Sequence, residues 1–273
     1  MTLPAVALLM VAATDASYVE DVEQWRQDRE ARLRAPYGWL SLAGLSWLKE
    51  GPNVAGSGAG VSVELPAGTP GISGTFHRQG HRVTWQPRGG EPRPMRTDKN
   101  GEPDVVQIGN VQLTIIERGA RLGVRVRDPQ STFRRGFKGL IWYPVDRRWR
   151  VRARFVPLKR SIRFAVQAGD PQVMDSPGYV EWTSGGRRLR LTPVLEGQQL
   201  WWVFRDRTSG RTTYPAARFL YSDMPKDGFV ELDFNKSYNP PCVFTPYATC
   251  PLPPPENRLP VSIEAGEKIP PGH

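Results

Sequence analysis

The sequence predicts a mainly β protein, with an N-terminal helix followed by two packed β-sandwich or barrel-like units. Three observations carry this. A dozen short runs rich in β-branched and aromatic residues follow residue 53, each bounded by turn residues. Gly and Pro number 27 each and are scattered along the chain, which suits tight turns and excludes a helical bundle. Helical spacing of apolar residues is confined to the start of the chain. At 273 residues there is room for one large or two small domains.

Residues 1–16 are a candidate signal peptide. Met1 to Ala13 form an uncharged apolar run, and Thr14-Asp15-Ala16 offers small residues for cleavage. A positive leading segment is missing, and the run is too short to span a bilayer as a helix. The expectation is an exported or periplasmic protein, otherwise a cytoplasmic one, with no transmembrane segment. Residues 17–52 are an N-terminal helical segment. Ser17 and Glu20 form a capping box, and Tyr18, Val22, Trp25, Arg29 and Leu33 share one face, which predicts a helix over 18–34 ended by Pro36. Gly38 to Leu48 is a compact apolar segment, read as a short helix or turn that plugs one end of a β core.

The β units follow as 53–127 and 128–273, with strong runs at 61–65, 72–76, 82–86, 111–117, 121–127, 140–143, 149–155, 162–166, 179–183, 187–191, 198–205 and 229–234. Gly109-Asn110, Ser184-Gly185-Gly186 and Thr208-Ser209-Gly210 are the hairpin candidates. No internal repeat is visible.

The chain is arginine-rich, with formal charge +10. Fifteen Arg and Lys fall within residues 118–163 against only Asp128 and Asp146, so the charge is a band. On one run Arg148, Arg150, Arg152 and Arg154 alternate with Trp149, Val151, Ala153 and Phe155; on another Arg121, Arg125 and Arg127 oppose Leu122, Val124 and Val126. Such rows are either an anion-binding face or a solvated face balanced by acids, for which Glu231 and Asp233 are the matching row. The balanced face is the expectation for 148–154. Nucleic acid is not an expected partner, because no helix-turn-helix, zinc-finger, RNP or KH pattern accompanies the arginines.

Recognisable catalytic patterns are missing. His77, His81 and His273 are the only histidines, and the first two flank a turn without a nearby carboxylate, so no metal is expected. There is no nucleophile elbow and no P-loop lysine, and Gly56-Ser-Gly-Ala-Gly60 precedes no helix. No cofactor is expected. Asp206, Asp233 and Glu256 remain candidates for a carboxylate acid–base pair. Trp39, Trp47, Trp142, Trp201 and Trp202 are pocket candidates, although core positions are the commoner fate of tryptophan in a β protein.

Residues 231–260 form a proline-rich segment that carries both cysteines, Cys242 and Cys250. In an exported protein these are expected to form a disulfide; in the cytosol they are two free thiols, and their spacing does not suit zinc. The segment is expected to lie across the β core as an ordered strap, with Asn235, Asn239, Asn257 and Arg258 satisfying its backbone and Tyr238, Phe244 and Tyr247 largely buried. Three motifs, Gly38-Trp-Leu-Ser-Leu-Ala-Gly-Leu45, Gly139-Leu-Ile-Trp-Tyr-Pro-Val-Asp146 and Leu232-Asp-Phe-Asn-Lys-Ser-Tyr-Asn-Pro-Pro-Cys242 with its continuation to Leu259, closely resemble the family catalogued as domain of unknown function 1684. Ser176 to Glu181 and Phe204 to Gly210 add to the likeness. It implies a shared, mostly β fold, and no reaction, cofactor or substrate. Separately, the first unit faintly resembles forkhead-associated sandwiches through Val63-Glu-Leu-Pro66, Gly74-Thr-Phe76 and Val111 to Ile116, without their phosphothreonine-reading residues.

The functional expectation is a cell-envelope binding protein for a polar or anionic small molecule. The alternative is a hydrolase using Asp or Glu with an arginine anion clamp. Candidate ligand-binding residues are Arg134, Trp142, Arg150, Asp206, Asn235, Tyr238, Asn239, Tyr247 and Glu256. The most informative question is whether they share a pocket.

Overall fold

The N-terminal helix α1 (Ala5–Arg34) contains the expected 18–34 segment and packs its predicted face inward. Tyr18, Val22 and Leu33 are buried, and Arg26 is drawn in beside them. This computed structural model describes residues 5–167 and 170–270. The candidate signal peptide falls partly on residues 1–4, outside the described residues, and partly on the first turns of α1.

The first unit contains β1 (Leu42–Trp47), β2 (Gly51–Gly56), β3 (Val63–Glu64), β4 (Gly74–Gln79), β5 (Arg82–Pro87), β6 (Arg93–Met95), β7 (Val105–Ile108), β8 (Val111–Arg118) and β9 (Arg121–Arg127). They form two open sheets, ordered β1-β9-β8-β7 and β3-β2-β4-β5-β6. Both sheets contribute to one core, with Phe76 and Trp85 from one meeting Leu113, Ile115, Leu122, Val124 and Val126 from the other. The segment read as a short helix or turn is chiefly strand β1, paired antiparallel with β9; only Trp39–Ser41 is a helical turn. Its partner lies some eighty residues away and is invisible to local periodicity. Gly123 makes the pairing close: a Cβ there would lie 2.9 Å from the Trp47 ring.

The second unit contains the short helix α2 (Thr132–Arg135), then β10 (Arg150–Phe164), β11 (Gln172–Ser184), β12 (Arg187–Leu191), β13 (Val194–Glu196), β14 (Gln199–Phe204), β15 (Arg218–Ser222) and β16 (Phe229–Asp233). Its sheets are ordered β12-β11-β10-β16 and β13-β14-β15. Among the described residues no sheet closes into a barrel. The runs 149–155 and 162–166 fuse into the single strand β10, whose register with β11 shifts between Pro157 and Arg160, where a proline is tolerated. The run 140–143 is not a strand; Trp142 makes one bridge to Glu267. Gly185 and Gly186, both at positive φ, form the two-residue turn between β11 and β12.

Strand β14 is covered on both faces. Leu200, Trp202 and Phe204 enter the main core with Val180, Trp182, Leu232 and Phe234. Val203 faces a second core with Phe164, Phe219, Ala248 and Cys250, and Trp201 packs against it. Residues 237–251 form the lid of that second core, so the proline-rich segment is an ordered strap. Asn257 ties it down by donating to the carbonyls of Thr192 (2.8 Å) and Val203 (2.9 Å) and accepting from Thr192 N–H (2.9 Å). Asn235 does the same through the Asp146 backbone. Arg258 is exposed and takes no such part, while Tyr238, Phe244 and Tyr247 are only half-buried.

The disulfide is not formed. Cys242 and Cys250 are free thiols with their sulfurs 3.0 Å apart, beyond bonding distance. The Cys250 sulfur instead accepts a hydrogen bond from the Cys242 backbone N–H at 3.3 Å. A hydrogen bond from Cys250 lowers the Cys242 thiol pKa, and that bond together with burial pushes Cys250 up. No described helix is long and apolar enough to cross a membrane.

Candidate functional site

A cleft runs between the two β units, with the C-terminal half of α1 along it. It has two lobes, of about 1070 and 890 Å³, that share Arg29, Leu33, Trp39, Tyr221 and Tyr238. This is the upper end of the size range for small-molecule sites.

One wall of the smaller lobe is the strap-side face of the β13-β14-β15 sheet. Trp201 and Tyr221 are register partners, and side-chain alternation puts Phe219 on the same face. Tyr238 of the strap bridges to Phe219 through its backbone. The result is an aromatic wall: Trp201 stacks on Tyr221 (centroids 6.2 Å, 17° between planes), and Tyr221 stacks on Tyr238 (6.2 Å, 16°). Tyr221 donates its hydroxyl to Glu196. Burial, the neighbouring Tyr238 and Glu196 all push the Tyr221 hydroxyl pKa up, so it stays protonated. The indole N–H of Trp201 is buried and has no acceptor among the described residues.

The opposite wall comes from β9 and the turn that enters β1. Arg121, Arg125 and Arg127 stand on the face away from the core, as the alternation predicts. Arg121 lies over Trp47 at 4.0 Å, and Arg125 over Trp39 at 5.1 Å. Arg125 is 5% exposed. No carboxylate pairs with it among the described residues, and its Nε and Nη2 atoms have no hydrogen-bond partner. Burial, then Arg127 and Arg118, lower its pKa to about 10, so it remains a cation at neutral pH. Beside it, Arg118 is held by Asp98 (2.9 Å) and donates to the Thr249 hydroxyl (3.2 Å). Lys99 is held by Glu117 (2.7 Å).

A network at the junction of the lobes fixes α1 to the strap. Arg29 donates to Glu267 (2.7 Å) and to the Asn239 carbonyl (3.0 Å), and the Asn239 amide donates to Glu267 (3.0 Å). The Arg29 guanidinium lies 4.4 Å over the Tyr238 ring. Burial raises the pKa of Glu267, partly offset by Arg29 and Asn239.

The residues expected to converge do not share this cleft. Tyr238 lies in both lobes, and Arg150 lines the larger one, paired with Glu231 at 2.7 Å. Asn239 is buried behind Tyr238 on Glu267. Asp206 is sealed in the core against Arg218 (2.5 Å), both side chains fully buried. Asn235 binds the Tyr18 hydroxyl (2.9 Å) and the Asp146 backbone. Arg134 caps the end of α1 through the Arg34 carbonyl (2.8 Å). Trp142 packs edge-on against Trp25 under Arg26. Tyr247 meets Phe133, and Glu256 pairs with Arg160 near the surface (2.9 Å). His81 reaches Glu117 (3.3 Å) and does not face His77; no metal-ligand cluster exists among the described residues. Sequence reasoning missed Arg29, Glu196 and Tyr221. It marked Arg125 as one of a basic row without distinguishing it. The signal available was that a row on β9 lacks any matching acidic strand, while the row on β10 has one.

No curated protein matches the chain. A solution NMR structure of an uncharacterized protein from gene locus rrnAC0354 of Haloarcula marismortui is similar, at 27% identity over 51% of this chain and 81% of that one, with a TM-score of 0.43. Residues 135–268, which hold the strap, the aromatic wall and Arg150, match the family model described as "Protein of unknown function (DUF1684)", and this region belongs to that family.

Proposed function

We propose that the cleft is an arginine-clamp site for a small organic anion. The observation that carries this is the unpaired Arg125. Burying a guanidinium without a counter-charge is costly, and nearby Arg127 and Arg118 add repulsion. Arg125 is among the residues lining the smaller lobe, where a carboxylate or phosphate would be the complementary charge for its guanidinium. An anion placed there relieves both costs.

Such a clamp serves either retention or hydrolysis, and the acids of the cleft favour hydrolysis. Asp98, Glu117 and Glu196 line the same lobe as Arg125. A site built only to hold an anion gains nothing from carboxylates facing it. Asp98 and Glu117 are engaged by Arg118 and Lys99. Glu196 has no cation partner among the described residues, only the Tyr221 hydroxyl. In this reading Glu196 takes a proton from the water that attacks the phosphorus or carbonyl carbon, Arg125 neutralises the charge developing on its oxygens, and the bond to the leaving-group oxygen breaks, that oxygen departing with the bonding electron pair. Export to the cell envelope is compatible with either use. The forkhead-associated likeness of the first unit extends, in this reading, no further than its two-sheet layout.

The test uses 4-nitrophenyl phosphate and 4-nitrophenyl acetate with release of nitrophenol, alongside melting with inorganic phosphate. The expected result is phosphate-dependent stabilisation lost in Arg125→Gln, and turnover reduced by about a hundredfold or more in Glu196→Gln with stabilisation kept. Stabilisation without turnover leaves the retention reading standing. Neither effect removes both readings.

A further inference from the structure

Glu196 is exposed, ends β13 beside Gly197 at positive φ, and pairs by backbone with Gln199 across that turn. A glutamate so placed samples many rotamers unless a partner holds it. Here one partner does. Among the described residues its Oε2 atom accepts from the Tyr221 hydroxyl, and its Oε1 atom has no partner. Tyr221 is far more constrained. Its backbone pairs with Trp201 on β14, and its ring stacks on those of Trp201 and Tyr238, the successive planes differing by 17° and 16°. Arg29 lies over the Tyr238 ring at 4.4 Å and is itself fixed by Glu267 and the Asn239 carbonyl. These rings are turned on one another and on Arg29, which makes the stack a support. Burial, the neighbouring Tyr238 and Glu196 keep the Tyr221 hydroxyl protonated, so it remains a donor through the neutral range.

We infer that Tyr221 is the positioning residue for Glu196: its hydroxyl holds Oε2, the ring stack backed by Arg29 holds the hydroxyl, and Oε1 is left as the atom that takes the proton from the attacking water. A base displaced by about 1 Å can lose about a hundredfold in rate, so an exposed glutamate serves as a base only with such a support. The contacts run from α1 to the base, from Arg29 through Tyr238 and Tyr221 to Glu196. This rests on the hydrolysis reading above and adds to it the device that orients its base.

The experiment is steady-state hydrolysis of 4-nitrophenyl phosphate and 4-nitrophenyl acetate by the full chain, with the melting temperature recorded for every variant. Tyr221→Phe keeps the ring in the stack and removes only the hydroxyl. It is expected to lower kcat about tenfold or more, to leave KM within about twofold, and to melt close to wild type. In a Glu196→Gln background the same change is expected to alter kcat by less than about twofold, since no base is left to orient. A purely structural role would cost as much in either background. Tyr238→Leu removes a supporting ring and keeps the hydroxyl. It should lower kcat by a smaller factor, and a wild-type kcat in that variant would overturn the part given to the stack. The Tyr221→Phe comparison stands even where Tyr238→Leu fails to fold. If Glu196→Gln loses turnover while Tyr221→Phe keeps the wild-type kcat, or costs the same with and without Glu196→Gln, the inference is overturned and the base reading survives. If the wild-type chain turns over neither ester, or Glu196→Gln is as active as wild type, both are overturned.

Discussion

Two arginine rows in this chain have the same alternating pattern and opposite fates. On β10, Arg148 pairs with Asp146 (2.6 Å), Arg150 with Glu231 (2.7 Å) and Arg154 with Glu181, while Arg152 lies over the Phe229 ring at 3.9 Å. Pairing of β10 with β16 places Glu231 directly opposite Arg152, within reach of its diagonal neighbour Arg150. On β9 the partners are β1 and β8, which bring Leu45 and Thr114 opposite Arg125 and no acid at all. Trp47 and Trp39 then cover Arg121 and Arg125, and burial leaves Arg125 an unpaired cation where solvent would have hydrated and screened it. Charge patterning therefore identifies a site only after it is known which strands lie beside the row and what covers it.

Four kinds of experiment sharpen that contrast. The largest effect is expected where a buried arginine already has its acid. Asp206 and Arg218 are fully buried, and Arg218 also donates to the Ile263 carbonyl at 2.9 Å. Asp206→Asn leaves that guanidinium uncompensated and is expected to cost about 3–5 kcal/mol in denaturant unfolding. A loss below about 1 kcal/mol would show that an uncompensated buried arginine is tolerated generally, and would remove the argument from Arg125.

Glu267 tests the same physics through pH. Its folded pKa is raised above the ordinary 4.5 by burial. The stability such a group contributes is fully present below 4.5 and is lost as pH rises through the folded value. The wild-type chain should therefore lose stability relative to Glu267→Gln across that window, and the difference should be flat above it. A difference independent of pH throughout would mean that Arg29 and Asn239 compensate the carboxylate completely.

On the β10 row, Arg150→Met is expected to change stability by only about 0.2–1 kcal/mol, as for other solvent-exposed pairs. It should leave any response to phosphate intact. A large loss of that response would move the anion site from β9 to the β10 side of the cleft.

Much of the frame is legible in the sequence. The face of α1, the β9 and β10 alternations, the turns at Gly109-Asn110 and Gly185-Gly186 and the ordered strap all follow from local period or turn chemistry. β1 and β15 do not. β1 is short and apolar on both sides and is a strand because β9 pairs with it. β15 opens with Arg218, which reads as surface and is fully buried because Asp206 and two carbonyls receive it. The site suffers from the same limit. Asn235, Asn239, Asp206 and Arg134 are polar residues in rich motifs, and each turns out to hold backbone or bury charge. Arg125 and Tyr221 come from opposite walls, and only the packing of the two units brings them to one cleft.

The most direct measurement is the melting temperature of Arg125→Met against wild type, with and without inorganic phosphate. Removing an unpaired buried cation should raise the melting temperature of the anion-free chain and abolish the phosphate-induced rise. A variant that melts lower than wild type and still responds fully to phosphate would contradict the account.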